Sequence, residues 1–194
     1  MIKKSVQIIV LNKDNISDFS KERNKLLGNS KADWVFFLDS DEKMSPGLRK
    51  EILRKIRDDK FNGFIVNRKN YFLGKFVGTD KILRLGKKGK GKWYRKVHEV
   101  WQIKGNIGKL ENPIIHNSYK SLYEAIRKVN YYSTLHAEAN LDEAKKSNLL
   151  KIIFYPPVKF IQSFLMGRGF VFSMLQSFHS FLGWAKLWQL QQKN

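Results

Sequence analysis

Cysteine is absent from the 194 residues. Neither a disulfide nor a thiolate metal site is therefore available, which fits a reducing compartment. Acidic side chains are scarce, 17 Asp and Glu against 37 Lys and Arg, for a formal net charge of +20. Such an excess favours polyanionic partners, whether nucleic acid, anionic lipid or phosphorylated small molecules, and says nothing about fold. The basic residues are spread along the chain without an RNP-like, zinc-finger or helix-turn-helix pattern, so no specific nucleic-acid partner is expected. The opening MIKKSVQIIVLN has too short an apolar run for a secretion signal, and no small-residue cleavage site follows it. Internal repeats are lacking. So are long uninterrupted apolar runs, because polar residues recur through the most hydrophobic segments, which argues against a membrane span.

What is present is enough apolar material, 42% of the chain, for a real core in one domain plus an appendage. Residues 5–11 (SVQIIVL) read as a strand. Residues 16–27 read as a helix, capped by Ser17 or Asp18 and ended by Gly28-Asn29. Residues 34–38 (WVFFL) are too short for a helix and continuously apolar, as in a strand buried on both faces. Strand, helix and strand with short connections make a βαβ unit, so these strands should be parallel. Ser45-Pro46 is expected to open a second helix, with Leu48, Ile52 and Ile56 on its buried side. Further strands are expected over 63–72, 81–85 and 92–103, around the turn GKKGKGK. Ser121 and Glu124 form a capping box ahead of a long helix. Pro156-Pro157 reads as the clearest break in the chain. Trp34, Phe36, Phe37, Trp93 and Trp101 are expected in the core.

The run WVFFLDSDE (34–42) drives straight into carboxylates. In open α/β sheets ligands sit beyond the carboxyl ends of the strands, where Asp39 falls. Asp39 and Asp41 are two apart, so in extended backbone they point the same way. Two adjacent carboxylates repel unless a cation lies between them, and Mg²⁺ or Mn²⁺ suits oxygen ligands shared with a diphosphate. The spacing alone fits equally a solvated turn in which Asp39 caps the next helix.

WVFFLDSDE, preceded by SDFSKERN (17–24), resembles the inverting family 2 glycosyltransferases of GT-A fold, in the branch of lipopolysaccharide-core glucosyltransferase-like proteins. GFIVNRKNYFLGK (63–75), DKILRL (80–85), GKWYRKVHEVWQIKGNIGKL (91–110), IIHNSYKSLYEAIRKVNYYS (114–133) and the final AKLWQL resemble that branch in the same order. The resemblance implies an α/β fold: a partial GT-A domain with a mostly parallel sheet over 1–118, then a helical region over 119–194. It implies that Asp39 and Asp41 hold Mg²⁺ or Mn²⁺ against the diphosphate of a nucleotide-sugar donor. Arg23 and Asn24 would line the donor pocket. Glu99 would be the general base on the acceptor hydroxyl, with His98 beside it. Asp80 and Arg84 would contact sugar or phosphate, and His116 would contact phosphate or metal.

Against the family's pattern, the first two strands, which hold base and ribose, have no counterpart before Ser5, and a Gly-rich Trp-Tyr-Pro insertion before DKILRL is missing. The expectation is a donor site lacking its nucleoside-binding half, the chain being an N-terminally truncated product, a fragment from a mis-called start, or one half of a split enzyme with a complementing N-terminal subunit as a partner. A non-catalytic membrane-peripheral remnant or partner subunit of a split glycosyltransferase is the alternative reading.

The segment 149–165 is apolar but broken by two lysines and the prolines, while 170–190 carries no charge except Lys186. Ser173, Gln176, Ser177 and Ser180 fall on one stripe of the latter, while Phe172, Met174, Leu175, Phe178, Phe181, Leu182 and Trp184 cover a broad apolar face. Such a helix suits an anionic membrane surface, or packing on the catalytic domain. The expected location is peripheral, on the cytoplasmic face of the cell membrane, with a glycan or lipid-linked acceptor.

Overall fold

The computed structural model describes residues 4–12, 16–96 and 99–193. It divides into two compact units, Met1–Asn70 with Thr79–His116, and Tyr71–Gly78 with Asn117–Asn194. The second unit thus takes a hairpin tip that the sequence reading left in the catalytic domain.

The first unit opens with β1 (Val6–Leu11), α1 (Phe19–Asn29) and β2 (Trp34–Asp39). β1 and β2 pair in parallel, Val6 opposite Trp34 and Leu11 opposite Asp39, as the βαβ reading requires. Asp18 caps α1, its carboxylate accepting from the Lys21 amide at 2.9 Å. The helix runs on through Gly28 to Asn29. Phe19, Arg23 and Leu27, four apart, form its buried stripe.

Every residue of β2 is buried. Period-two alternation sends Trp34, Phe36 and Leu38 into one core, against Leu48, Ile52 and Ile56. Val35 and Phe37 enter another, with Ile9, Leu27, Trp93 and Trp101. Burying each large side chain contributes about 1.5–3 kcal/mol, so this strand is the anchor of the unit. The five aromatics expected in the core are all there.

β3 (Glu42–Met44), α2 (Leu48–Lys55), β4 (Gly63–Phe72), β5 (Lys75–Lys87), β6 (Gly91–Tyr94), β7 (Val100–Ile103) and β8 (Ile107–Asn117) follow. The six-stranded sheet has the order β1-β2-β5-β4-β8-β3, and β6 and β7 form a separate ribbon. The expected mostly parallel sheet is corrected. β2 meets β5 antiparallel and β3 meets β8 antiparallel. β4 and β5 are joined by a two-residue turn, which only an antiparallel pair can use. The sheet is therefore mixed, parallel where α1 makes the crossover and antiparallel at the β4–β5 hairpin and at the longer-range pairs β2/β5 and β3/β8. β8 was not foreseen; Pro113 within it disguises a strand.

α2 is not capped by Ser45 as expected. Its N-cap is Gly47, at φ +86, a left-handed backbone that glycine adopts freely. Glu51 fixes the helix instead, accepting from the amides of Glu111 and Asn112 at 2.9 Å each. In β5, Gly86 leaves room for Trp101, whose ring atoms would lie 2.5 Å from an added Cβ.

The second unit holds α3 (Leu122–Asp142), α4 (Leu149–Leu165) and α5 (Phe170–Gln191). Ser121 caps α3 by accepting from the Glu124 amide at 3.1 Å, and Glu124 reaches back to the Lys120 amide at 2.8 Å, one residue before the box position. Pro156-Pro157 does not break the chain: both lie inside α4. Two amides are lost there, but Pro156 is buried and packing holds the helix. On α5 the polar stripe begins inside the unit and its other members, Gln176, Ser177 and Ser180, are half-buried. Ser173 is 0% exposed and its hydroxyl donates to Ser163 Oγ of α4 at 3.1 Å, while apolar residues face out. Lys186 pins α5 to α3, donating to Asn130, Ser133 and Thr134.

Candidate active site

Asp39 ends β2, and the turn Ser40-Asp41 leads at once into β3. The β3/β8 register sets Glu42 opposite His116. Asp41, one residue earlier, consequently lies with Oδ2 3.4 Å from His116 Nε2. The other ring nitrogen of His116 is 2.7 Å from Asn70 Oδ1.

Asp39 is held between two guanidiniums. Arg23 of α1 donates to Oδ1 at 2.5 Å, and Arg84 of β5 donates to Oδ2 at 2.9 Å. Arg84 also reaches Glu42 at 3.1 Å, and Glu42 returns to the strand end by accepting from the Asp39 amide at 2.9 Å. Arg68 of β4 bridges Glu42 at 2.9 Å and Asp80 at 2.6 and 3.1 Å. Asn70 donates to Asp80 at 3.1 Å. At the far side Arg23 donates Nε to Glu99 at 2.9 Å. One connected chain of contacts thus runs Glu99, Arg23, Asp39, Arg84, Glu42, Arg68, Asp80, Asn70, His116, Asp41.

Burial shapes its electrostatics. Burial alone would lower the pKa of Arg84, but Asp39 and Glu42 outweigh it and raise it above the ordinary value. Arg68 is raised in the same way, against its burial, by Asp80 and Glu42. Burial alone would raise Asp80, but the hydrogen bonds and charge of Arg68 hold it below the usual carboxylate range. Arg23 is fully buried with its guanidinium 4.7 Å from the Trp93 ring centre and 5.3 Å from that of Phe37. Trp93 stacks on its cross-strand partner Trp101 at 4.9 Å, and Phe37 meets both edge-on at 5.5 Å. An aromatic box therefore fixes the guanidinium that links Asp39 to Glu99.

The structure joins Asp39, Asp41, Arg23, Asp80, Arg84, Glu99 and His116 of the sequence-derived set. Asn24 does something different. Its side-chain amide donates to the Trp93 carbonyl and accepts from the Trp93 amide, both at 2.9 Å, which ties α1 to β6. His98 lies outside the described residues. Glu42, Arg68 and Asn70 were missed. A signal existed for two of them: Phe64 and Val66 are core, and Arg68 and Asn70 continue the same alternation along β4. A core-facing phase that turns polar marks a place where the core gives way to a site.

Asp41 Oδ2 and His116 Nε2 are spaced as two neighbouring ligands on one small divalent ion require, roughly 3 Å for bonds of about 2.1 Å. Asp39 fits less well, since both its oxygens already accept from guanidiniums. Among the described residues no three His, Asp or Glu side chains converge as a complete metal cage. Mg²⁺ commonly binds through one or two protein ligands with the rest from substrate phosphate and water.

Residues 1–107 match the family described as glycosyl transferase family 2. The chain belongs to that family. The match takes in β1 through β7 and most of the network, and the mixed α/β architecture of the first unit agrees with it. Among family relatives, the lipopolysaccharide core biosynthesis glycosyltransferase LpsC of Rhizobium meliloti (strain 1021) is 31% identical over 173 residues. That alignment covers 80% of this chain and 64% of LpsC, so the chain spans under two thirds of that relative.

Proposed function

We propose that the protein transfers a sugar, with inversion, from a nucleotide-sugar donor to a cell-surface glycan or lipid-linked acceptor at a membrane surface. The observation that carries the reading is the contact chain from Glu99 to Asp41 at the carboxyl end of β2, in a chain of glycosyl transferase family 2. The relative named for lipopolysaccharide core biosynthesis supports the acceptor class.

On this reading Asp41 and His116 hold Mg²⁺ or Mn²⁺, which would neutralise the departing diphosphate. Carboxylates outnumber guanidiniums in the network, the charge balance a cation site needs. Asp39 acts by holding Arg23 and Arg84, not as the principal ligand. Arg84 and Arg68, both cationic at any physiological pH, line the phosphate side and keep Asp80 ionised toward the sugar. Glu99 takes the proton of the acceptor hydroxyl as its oxygen bonds to the anomeric carbon. The bond from that carbon to the diphosphate oxygen breaks, and the nucleoside diphosphate leaves. Arg23 positions the Glu99 carboxylate through a bond that the aromatic box keeps in place.

The test is calorimetric titration of UDP, GDP and CDP into the protein with and without Mn²⁺, beside Asp41→Asn and His116→Ala. One nucleotide should bind only with metal, and each variant should weaken it about tenfold or more. Metal-independent binding that both variants leave unchanged would sink the assignment.

A further inference from the structure

The second unit keeps an apolar interior that includes Leu175 and Leu187, yet α4 and α5 also bury serines and leave broad apolar faces exposed. In α4 the buried residues are Pro156 and Ser163, and in α5 Ser173 is among the most buried. Outward stand Leu149, Ile153, Phe154, Val158, Ile161 and Leu165 of α4, the last 79% exposed. At 3.6 residues per turn these sweep about half the circumference of the helix, flanked by Lys151, Gln162 and Lys159. On α5 the exposed side chains Phe170, Met174, Phe178, Phe181 and Trp188 fall within an arc of about 100°. An isolated surface Leu is ordinary, but two adjacent helices that both turn aromatics outward and serines inward are not.

The charge pattern indicates what covers these faces. From Ala144 to the end there is no Asp or Glu, while Lys145, Lys146, Lys151, Lys159, Arg168, Lys186 and Lys193 are basic. Two copies meeting through such faces would bring cations together, whereas an anionic lipid surface attracts them, by about 1 kcal/mol each. Beside the α4–α5 turn lies a cleft of about 240 Å³ lined by Lys159, Gln162, Ser163, Met166, Arg168 and Gln176. Two cations and two amides around such a space suit the phosphate of a lipid headgroup. Among the described residues no helix is long and apolar enough to cross a membrane. The helices must then lie in the interface plane, apolar side down.

We infer that α4 and α5 seat the protein on an anionic bilayer, their exposed apolar faces among the upper acyl chains and a headgroup phosphate between Lys159 and Arg168. The inference deepens the membrane part of the functional reading but rests on other residues. Its test needs neither donor nor acceptor, so either idea can fail alone.

The experiment is flotation of the full chain with vesicles of phosphatidylcholine, or of phosphatidylcholine with about one-third phosphatidylglycerol. The chain should float with the anionic vesicles and stay bound at about 0.5 M salt, where electrostatic attraction alone is screened. F154S/V158S/L165S should lower the bound fraction about tenfold or more at unchanged helical circular dichroism. The apolar control F154L/V158I/L165M should bind like the unaltered chain. K159Q/R168Q should weaken binding to the anionic vesicles about tenfold or more, with the remaining basic residues keeping a reduced preference over zwitterionic ones. A chain that stays at the bottom of both gradients overturns the proposal. So does a serine variant that floats undiminished, an anionic preference that K159Q/R168Q leaves undiminished, or self-association in place of flotation.

Discussion

The two units invert ordinary packing in opposite ways. The first takes charge inside: Arg23, Asp39, Glu42 and Arg84 are buried together at the end of its most apolar strand. The second leaves broad apolar faces of α4 and α5 outside, while serines join leucines within. Buried ion pairs contribute little to net stability, and exposed aromatics contribute none, so neither pattern serves folding. On the proposed function the first pattern serves a ligand that needs fixed charges, and on the further inference the second serves an apolar surface. The comparison predicts that substitution in the first unit damages chemistry and fold together, while substitution of the outward residues of the second leaves the fold alone.

The largest expected effect is on turnover. Glu99→Gln should lower sugar transfer about a thousandfold with nucleotide binding kept, measured as kcat and KM once a donor is identified. A mild effect would remove Glu99 as the base. Next is Arg84→Met, which leaves Asp39 and Glu42 buried with one guanidinium fewer. It should cost about 3–5 kcal/mol in urea unfolding. A cost below about 1 kcal/mol would mean that the network is looser than its distances indicate.

Ser173→Leu sharpens the contrast in the second unit. A larger apolar residue forced against Ser163 should destabilise by about 1–3 kcal/mol, although the change is toward hydrophobicity. Phe154→Ser, at a position 58% exposed, should change lipid-free stability by only about 0.5 kcal/mol or less. Should the serine tolerate leucine while Phe154→Ser unfolds the protein, the helices pack the other way round. The smallest effect is that of Asp80, which is partly exposed. Its folded pKa lies below the usual 3.8, so its stabilisation is complete above that value and is lost as pH falls through the lowered one. Asp80→Asn should flatten the acid side of a plot of unfolding midpoint against pH and leave the neutral region little changed.

Much of the first unit was legible. The run at 34–38 needed only its length and continuity to be read as a doubly buried strand. The stripe of Phe19, Arg23 and Leu27 was not read from spacing; Arg23 entered only through the resemblance, as a donor-pocket residue. The mixed character of the sheet was harder to see, because a strand's direction depends on how it is connected, and the tight turn at Leu73-Gly74 looks like any other loop. Resemblance supplied the separate site residues but not their links: Glu42 sat unassigned inside the run WVFFLDSDE. The second unit misled because helical periodicity shows that two faces differ and not which one turns inward. Serines and phenylalanines alternate as well one way as the other, and Pro156-Pro157 breaks a helix only where packing does not restore it.

The five tryptophans carry a practical consequence. Trp34, Trp93 and Trp101 lie in the first unit, and Trp184 and Trp188 in the second. With the latter two changed to phenylalanine, the remaining emission reports on the first unit, where a guanidinium lies over one indole. Any ligand that draws Arg23 off Trp93 would announce itself as a change in intensity. The converse set, with only Trp184 and Trp188 kept, would shift to the blue on meeting lipid. The protein thus contains two native optical probes, one for each of the questions it poses.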